Sequence, residues 1–320
     1  MKIIKPQKLK RGDVVGIVSP SSPIPKELKG QFLEGVRVLE EEFGLKVKYT
    51  ERVFDKYFYN AGTREARIKE FNEVWADSEV KMILMSIGGY TANHLLDGID
   101  YEMIKNNPKI FAGVSDGTTL LNPIFQKTGV ITYHGPDLLF TFGQPMTEQI
   151  KENIKQTFFE DTEIKLVPNK NWQHQENREI KNPGWRTVRN GKAEGVLVGG
   201  HLGCLCDLMS AGYAPDFTDK ILLLEGTEED YETDSQLTRL KLAGVFDKIK
   251  GIVLGWFEDF SGQGYDKRRP VRDIILETTK DYDFPILEIS DLGHNVENYV
   301  FPVGRTVKID ADRKEIFIKK

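Results

Sequence analysis

FAGVSDGTTLLN, residues 111–122, joins a short apolar run to the start of a helical pattern and holds one serine between two glycines. The apolar run is typical of a buried strand, and the glycines permit a sharp turn after it. The helical pattern ends at Gly129, a residue type that favours the left-handed conformation found just beyond many helices. The stretch therefore predicts a strand–turn–helix unit with Ser115 at the turn.

Similar units lie on both sides of this stretch. Further apolar strand candidates are VVGIVSP (14–20), KVKYT (46–50), MILMSIGGY (82–90) and GVITYHGP (129–136). Helical spacing of apolar residues occurs in KELKGQFLEGVRVLEEEFG (26–44), REARIKEFNEVWADSEV (64–80) and TEQIKENIKQTFFED (147–161). Continuous apolar strands that alternate with helices indicate an α/β domain whose parallel sheet is covered on both faces.

The chain changes character after this region. Residues 161–192 are polar and contain prolines and two tryptophans without periodicity, which is typical of a link. Because 320 residues favour two domains, we predict an N-terminal domain over 1–165, a linker over 166–190 and a C-terminal domain over 191–320. In the C-terminal domain, a helix over 234–245 is predicted to be capped by Thr233 and Gln236. Residues 306–320 are predicted to form a hairpin.

Composition excludes several classes of protein. A net charge of −5 and a pI near 5.7 argue against a nucleic-acid or membrane-surface binder, because such partners require a basic face. The N-terminus lacks the apolar run of a secretory signal, so we expect a cytoplasmic protein. The two cysteines, Cys204 and Cys206, lie two residues apart, which predicts neither a disulfide framework nor a metal site.

Ser115 has two interpretations. Residues 113–117 satisfy Gly-x-Ser-x-Gly between a strand and a helix, the context in which this motif exposes a nucleophilic hydroxyl. The alternative is that the cluster only ends the strand and caps the helix. A nucleophilic serine needs a base, and His294 in the loop after PILEIS is the best candidate. The remaining histidines are interpreted as structural; they are His94, His134, His174 and His201.

The acid and the oxyanion donors have candidates of the same kind. Glu225 ends the apolar strand ILLLE and precedes a glycine, whereas the acidic residues that follow it are interpreted as surface. An oxyanion hole would use the backbone N–H of Asp116 and one from the Gly88–Gly89 pair, where the absence of Cβ permits close approach. A simple turn at Gly88–Gly89 explains that pair equally well.

Five motifs in order carry a resemblance to a known family. SIGGY, NNPKIFAGVSD, NPGWRTVRNGKAEGVLVGG, ILLLEG and LGHN together resemble the LD-carboxypeptidase family of serine peptidases, and within it the microcin C self-immunity branch. The resemblance implies a Ser115–Glu225–His294 triad with Asp116 and Gly88 or Gly89 as oxyanion donors. It also implies a flavodoxin-like or Rossmann-like N-terminal domain, a β-barrel-like C-terminal domain, a homodimer, and neither metal nor cofactor.

The sequence departs from the family at two positions. Ile87 stands where murein-directed members have an arginine, which is closer to the immunity branch, and His201 stands where an asparagine is expected. Immunity-branch members stack a tryptophan on the substrate's nucleobase; Trp172 and Trp185 are both candidates, and Trp185 can equally be a packing anchor. Glu258 is a candidate contact for a substrate amine.

The expected reaction is acyl transfer through Ser115 at an amide near a terminal anion. The expected substrate is an aminoacyl or peptidyl nucleotide, with a murein tetrapeptide ending in D-alanine as the alternative. Two other classes stay open: an α/β-hydrolase esterase, which needs one central sheet to carry all three residues, and a non-catalytic nucleotide or peptide sensor.

Overall fold

A computed structural model of the chain describes residues 2–177, 179–258 and 269–320. The chain divides into two compact units: Met1–Asp161 with Tyr299–Gly304, and Thr162–Asn298 with Arg305–Lys320. The predicted linker, 166–190, lies in the second unit, whereas 299–304, predicted in the C-terminal domain, belongs to the first. Within the described ranges, no helix is long and apolar enough to cross a membrane.

The described residues form two sheets and a set of helices. The strands are β1 (Val14–Val18), β2 (Lys46–Lys48), β3 (Val80–Met85), β4 (Ile110–Gly113), β5 (Thr132–His134), β6 (Ile164–Leu166), β7 (Arg186–Arg189), β8 (Lys192–His201), β9 (Lys220–Gly226), β10 (Gly251–Phe257), β11 (Ile286–Glu288), β12 (Phe301–Val303), β13 (Thr306–Asp310) and β14 (Glu315–Ile318). The α-helices are α1 (Lys29–Glu41), α2 (Arg64–Ala76), α3 (Tyr101–Asn106), α4 (Thr118–Thr128), α5 (Glu148–Phe158), α6 (Leu202–Ala211), α7 (Asp230–Leu242) and α8 (Val271–Thr278).

The first unit is built on a six-stranded sheet in the order β12-β5-β4-β3-β1-β2. β1 to β5 run parallel, which confirms the predicted parallel sheet, and β12 pairs antiparallel with β5 at one edge. Residues 82–85 of β3 are all buried, as expected for a strand covered on both faces. Because these strands are parallel, the carboxyl ends of β1, β3 and β4 lie at the same edge of the sheet. Ligands of open parallel sheets bind at this edge.

The second unit is built on an eight-stranded mixed sheet in the order β6-β14-β13-β8-β9-β10-β11-β7. Its centre, β8 to β11, is parallel, and antiparallel strands flank it on both sides. The predicted C-terminal hairpin is confirmed as β13 and β14, which pair from Val307 with Ile318 to Asp310 with Glu315. The mixed α/β fold class is therefore confirmed in both units.

The predicted cap of α7 is wrong. The helix begins at Asp230, and Glu229 and Glu232 form a reciprocal capping box one turn before the predicted Thr233–Gln236 pair. Thr233 is buried inside the helix instead. The Glu229 carboxylate accepts the backbone N–H of Glu232, a bond that a serine or threonine side chain makes in most capping boxes. The acidic run therefore caps the helix, and its negative charge suits the helix N-terminus.

One buried acid in the second unit is expected to make its stability depend on pH. Asp291, fully buried after β11, accepts hydrogen bonds from the Trp185 indole and the Ser290 hydroxyl. Burial nevertheless dominates and raises the pKa of Asp291 from 3.8 to about 6. The folded state therefore holds a proton that the unfolded chain has released between these two values.

We predict that Asp291 alone lowers the free energy of unfolding by about 3 kcal/mol as the pH rises from about 4 to 7, which is the difference in slope between the wild type and Asp291→Asn. The folded state binds more protons than the unfolded state in this window, so the stability that protonated Asp291 contributes is lost as the pH rises through about 6. Urea titrations followed by tryptophan fluorescence measure this. Asp291→Asn should flatten the decline, and an unchanged slope in that variant would contradict the assignment.

Candidate active site

Ser115 lies in a strained turn between β4 and α4. Its φ of +57° is in the left-handed region, which non-glycine residues rarely adopt, and the extended Val114 precedes it. The N-cap of α4 is Gly117, which carries no side chain, so Ser115 does not cap the helix. This geometry favours the nucleophile interpretation over the capping one, because backbone strain of this kind concentrates at functional turns.

The glycines of the motif are required by packing against β3. A Cβ at Gly117 would lie 2.9 Å from the sulfur of Met85, and a Cβ at Gly113 would lie closer still to the same atom. Real Cβ atoms do not approach other atoms so closely. Gly-x-Ser-x-Gly therefore fits here because the chain turns directly over the end of β3.

The carboxylate of Asp116 holds this turn in place. It is buried and accepts hydrogen bonds from Ser21 Oγ at 2.6 Å, Ala92 N at 2.8 Å and Thr119 Oγ1 at 2.9 Å. These donors follow β1 and β3 or lie in α4, so three segments converge on one carboxylate. Burying a carboxylate costs free energy unless hydrogen-bond donors satisfy it, and these three donors do so. The Asp116 side chain is thus structural, and its backbone is the part available for chemistry.

The Gly88–Gly89 turn lies against the serine. A Cβ at Gly88 would be 2.9 Å from Ser115 Cβ and 3.2 Å from Ser115 Oγ. Gly89 has a φ of +147°, and a side chain there would collide with Ser21. Ser21 Oγ also accepts the N–H groups of Tyr90 and Thr91, each at 2.9 Å. Ser21 therefore fixes the glycine turn and the serine turn together.

Two residues that support this edge of the sheet were not predicted from the sequence. Ser21 is one of them; the polar stretch SPSS, which follows the first apolar strand, could have indicated it. Arg67 was the other; it is buried and donates to Pro20 O at 2.7 Å, to Thr91 Oγ1 at 3.1 Å and toward His94 Nδ1 at 2.9 Å. Burial lowers the pKa of Arg67, and the nearby negative charge of Asp116 opposes that shift.

Glu225 and His294 form a hydrogen-bonded pair in the second unit. Glu225 is fully buried at the end of β9, and its Oε2 lies 2.9 Å from Nδ1 of His294. Because the carboxylate accepts the Nδ1 proton, the neutral imidazole carries its lone pair on Nε2. The His294 side chain is 22 % exposed, so the ring is not sealed inside the unit. The pair has the arrangement of a general base with its orienting acid.

His201 lies beside this pair, although the sequence indicated only a structural role. Its ring centroid is 5.5 Å from that of His294, in an edge-on arrangement. His201 Nε2 lies 3.3 Å from Thr227 Oγ1, and Nδ1 lies 3.7 Å from a carboxylate oxygen of Glu228. The order of strands in the sheet explains this position, and the sequence pattern does not reveal that order. β8 and β9 are parallel neighbours, and His201 pairs with Glu225 at their carboxyl ends.

The three predicted substrate contacts in the second unit are buried and hydrogen-bonded. Trp172 donates its indole N–H to Ser290 O at 2.7 Å, and Trp185 donates to Asp291. Glu258 accepts from Trp256 Nε1 at 2.6 Å and contacts His174 Nε2 at 3.0 Å. These contacts favour packing roles for all three side chains.

Across the described ranges, no group of three or more His, Cys, Asp or Glu residues is arranged to hold a metal.

Two family models and several known proteins match the chain. Residues 15–135 match the LD-carboxypeptidase N-terminal domain, and residues 194–309 match the LD-carboxypeptidase C-terminal domain. The chain is 33% identical to the microcin C7 self-immunity protein MccF of Escherichia coli, over 96% of this chain and 93% of that protein. It is 30% identical to a probable murein peptide carboxypeptidase of Bacillus subtilis, over 98% of this chain and 94% of that protein.

A solved structure of MccF in complex with aspartyl sulfamoyl adenosine superimposes with a TM-score of 0.87 at 29% identity, covering 98% of both chains. The α/β-hydrolase alternative is wrong, because Ser115 follows a strand of one sheet and Glu225 lies in a strand of another. Both family domains match in order, and together they cover well over half of the sequence. The chain therefore belongs to the LD-carboxypeptidase family and is a serine peptidase of the carboxypeptidase type.

Proposed function

We propose that the chain hydrolyses the amide of an aminoacyl or peptidyl nucleotide through a Ser115–Glu225–His294 triad. The observation that carries the proposal is the 2.9 Å hydrogen bond between buried Glu225 and Nδ1 of His294, which leaves Nε2 as the proton acceptor. The left-handed backbone of Ser115, with a φ of +57°, is a second observation that supports the proposal. The triad requires the first unit to present Ser115 to the His294 of the second.

In the proposed mechanism, His294 Nε2 takes the hydroxyl proton as Ser115 Oγ attacks the amide carbonyl. Glu225 holds the imidazole in the reactive tautomer and stabilises the imidazolium that forms. The protonated His294 then gives its proton to the leaving nitrogen, and the acyl group stays on Ser115. Water, deprotonated by the same histidine, releases the acid product and restores the serine.

The oxyanion of each tetrahedral intermediate would be held by backbone N–H groups. We assign these to Asp116, the residue that follows the serine, and to Gly88 or Gly89. Support comes from the 2.9 Å approach that a Cβ on Gly88 would make to Ser115 Cβ, since this brings the turn's backbone next to the reacting hydroxyl. Preorganised donors of this kind stabilise negative charge without rearrangement.

Ligands seen in solved structures of a relative support the proposed substrate class. MccF is seen with aspartyl sulfamoyl adenosine, and an MccF variant is seen with adenosine monophosphate, so both complexes contain an adenosine group. The similarity to a probable murein peptide carboxypeptidase favours a second candidate, removal of D-alanine from a murein tetrapeptide. Ile87 in place of an arginine before the glycine pair favours the nucleotide substrate.

We predict that the wild type cleaves aspartyl sulfamoyl adenosine and leaves a murein tetrapeptide ending in D-alanine intact. Ser115→Ala should lower turnover by on the order of 10⁴-fold or more, because the covalent step is lost. Mass spectrometry of the products measures both. Ser210→Ala, which removes a hydroxyl bonded within α6, serves as the matched control and should cleave normally.

Cleavage of the tetrapeptide alone would replace the nucleotide proposal with the murein one. If neither compound is cut, or if Ser115→Ala is as active as the wild type, the triad proposal fails and a non-catalytic sensor becomes the better account.

A second prediction concerns the glycine turn. Gly88→Ala should lower kcat by about 100-fold, because the added methyl group displaces the backbone beside Ser115. Gly30→Ala in α1, where a Cβ has open space, is the matched control and should leave kcat unchanged. Steady-state kinetics with circular dichroism of both variants makes the comparison. Normal kcat in a folded Gly88→Ala protein would exclude this turn from the oxyanion site.

A further inference from the structure

Residues 169–177, here called the strap, run alongside residues 289–298, here called the histidine loop because they carry His294. Trp172 donates to Ser290 O at 2.7 Å, and Asn169 Nδ2 donates to Glu297 at 3.2 Å. At the other end, Gln175 N donates to Asn295 O at 2.7 Å. The strap therefore contacts the loop on both sides of His294, within one compact unit.

His174 lies at the centre of the strap and is almost fully buried. It forms an antiparallel bridge with Val296, two residues after His294. Its Nδ1 accepts the N–H of Asn177 at 2.9 Å, so the proton of the neutral ring is on Nε2. Nε2 points at the Glu258 carboxylate, at 3.0 and 3.2 Å from its two oxygens. Both nitrogens are therefore committed to structural hydrogen bonds.

The carboxylate that receives His174 sits just after β10. Trp256, in the same strand, donates its indole N–H to Glu258 at 2.6 Å, and its backbone N–H donates to Leu292 O at 2.6 Å. The Trp256 ring also packs against those of Trp172 and His174, with centroids 5.8 and 6.3 Å away. The strap, the strand end and the histidine loop thus meet at Glu258 and Trp256.

The loop that this cluster supports contains one strained residue beside His294. Asn295 has a φ of +57°, which non-glycine residues rarely adopt, whereas Gly293 on the other side adopts its φ of +146° without a Cβ clash. Such backbone persists only where surrounding contacts determine it. The bond from Gln175 N to Asn295 O and the bridge from His174 to Val296 act directly on this side of the loop.

We propose that His174 is a positioning residue: through Glu258 it anchors the strap, and the strap holds the histidine loop so that His294 faces the reacting serine. The proposal rests on the proposed function, since it assigns a task only if His294 is the base. It assigns His174 and Glu258 to the support of the base, not to contact with substrate. A displacement of His294 by about 1 Å would be enough to slow proton transfer by about 100-fold.

The rate at which a fluorophosphonate labels Ser115 in the intact 320-residue chain, measured by mass spectrometry, tests this proposal. His174→Ala should label about 100-fold more slowly than the wild type, because His294 no longer sits in place to take the proton. His174→Gln keeps an amide donor for Glu258 and should recover most of the rate. Leu240→Ala, a buried change in α7, which is outside both the strap and the histidine loop in sequence, should lower the melting temperature but label normally.

Hydrogen exchange at the Gln175 amide gives a second readout that does not depend on reaction. It should become faster in His174→Ala and stay slow in Leu240→Ala. Wild-type labelling rates in His174→Ala, or equal losses in His174→Ala and Leu240→Ala, would overturn the proposal. If the wild type itself is not labelled, the proposed function fails; unchanged exchange at Gln175 in His174→Ala would then separately refute the anchoring role.

Discussion

The position of the candidate base depends on one buried hydrogen bond, between Glu225 and His294. A carboxylate with no solvent exposure is costly unless it is paired, so the end of β9 requires a partner. The chain supplies it by bringing a loop close to β10: a Cβ at Gly255 would lie 2.7 Å from Leu292 O, and one at Gly293 would lie 2.9 Å from Trp256 Cβ. Two glycines thus permit the approach that places the imidazole on the acid.

The first unit meets a similar requirement in a different way. There the buried carboxylate is that of Asp116, and its partners are hydroxyl and backbone donors from segments far apart in sequence. The result is a fixed, left-handed Ser115 with a glycine turn beside it. Each unit therefore uses an acid at a strand end to fix a polar side chain, and the proposed triad needs one contribution from each.

Much of this could be predicted from local pattern. Continuous apolar strands predicted the parallel sheet, and polar residues beside glycines near strand ends made Ser115, Glu225 and His294 candidates, which the family resemblance joined into one triad. Local pattern could not show that Ser21 bonds Asp116, 95 residues away, or that His174 meets Glu258, because such pairs exist only after folding. The same holds for β12, which returns to the first sheet after a long excursion through the second unit. The homodimer and the cytoplasmic location stay predictions.

In the proposed triad, Ser115 and His294 act on one substrate. A crystal structure of the wild-type protein after reaction with a fluorophosphonate would show whether both residues meet at the same phosphorus. We predict a phosphonyl group on Ser115 Oγ, with His294 Nε2 within about 3 Å of the Oγ or a phosphonyl oxygen, and another oxygen facing the N–H of Asp116 and of Gly88 or Gly89. An adduct on another residue, or His294 beyond hydrogen-bonding reach of the adduct, would contradict it.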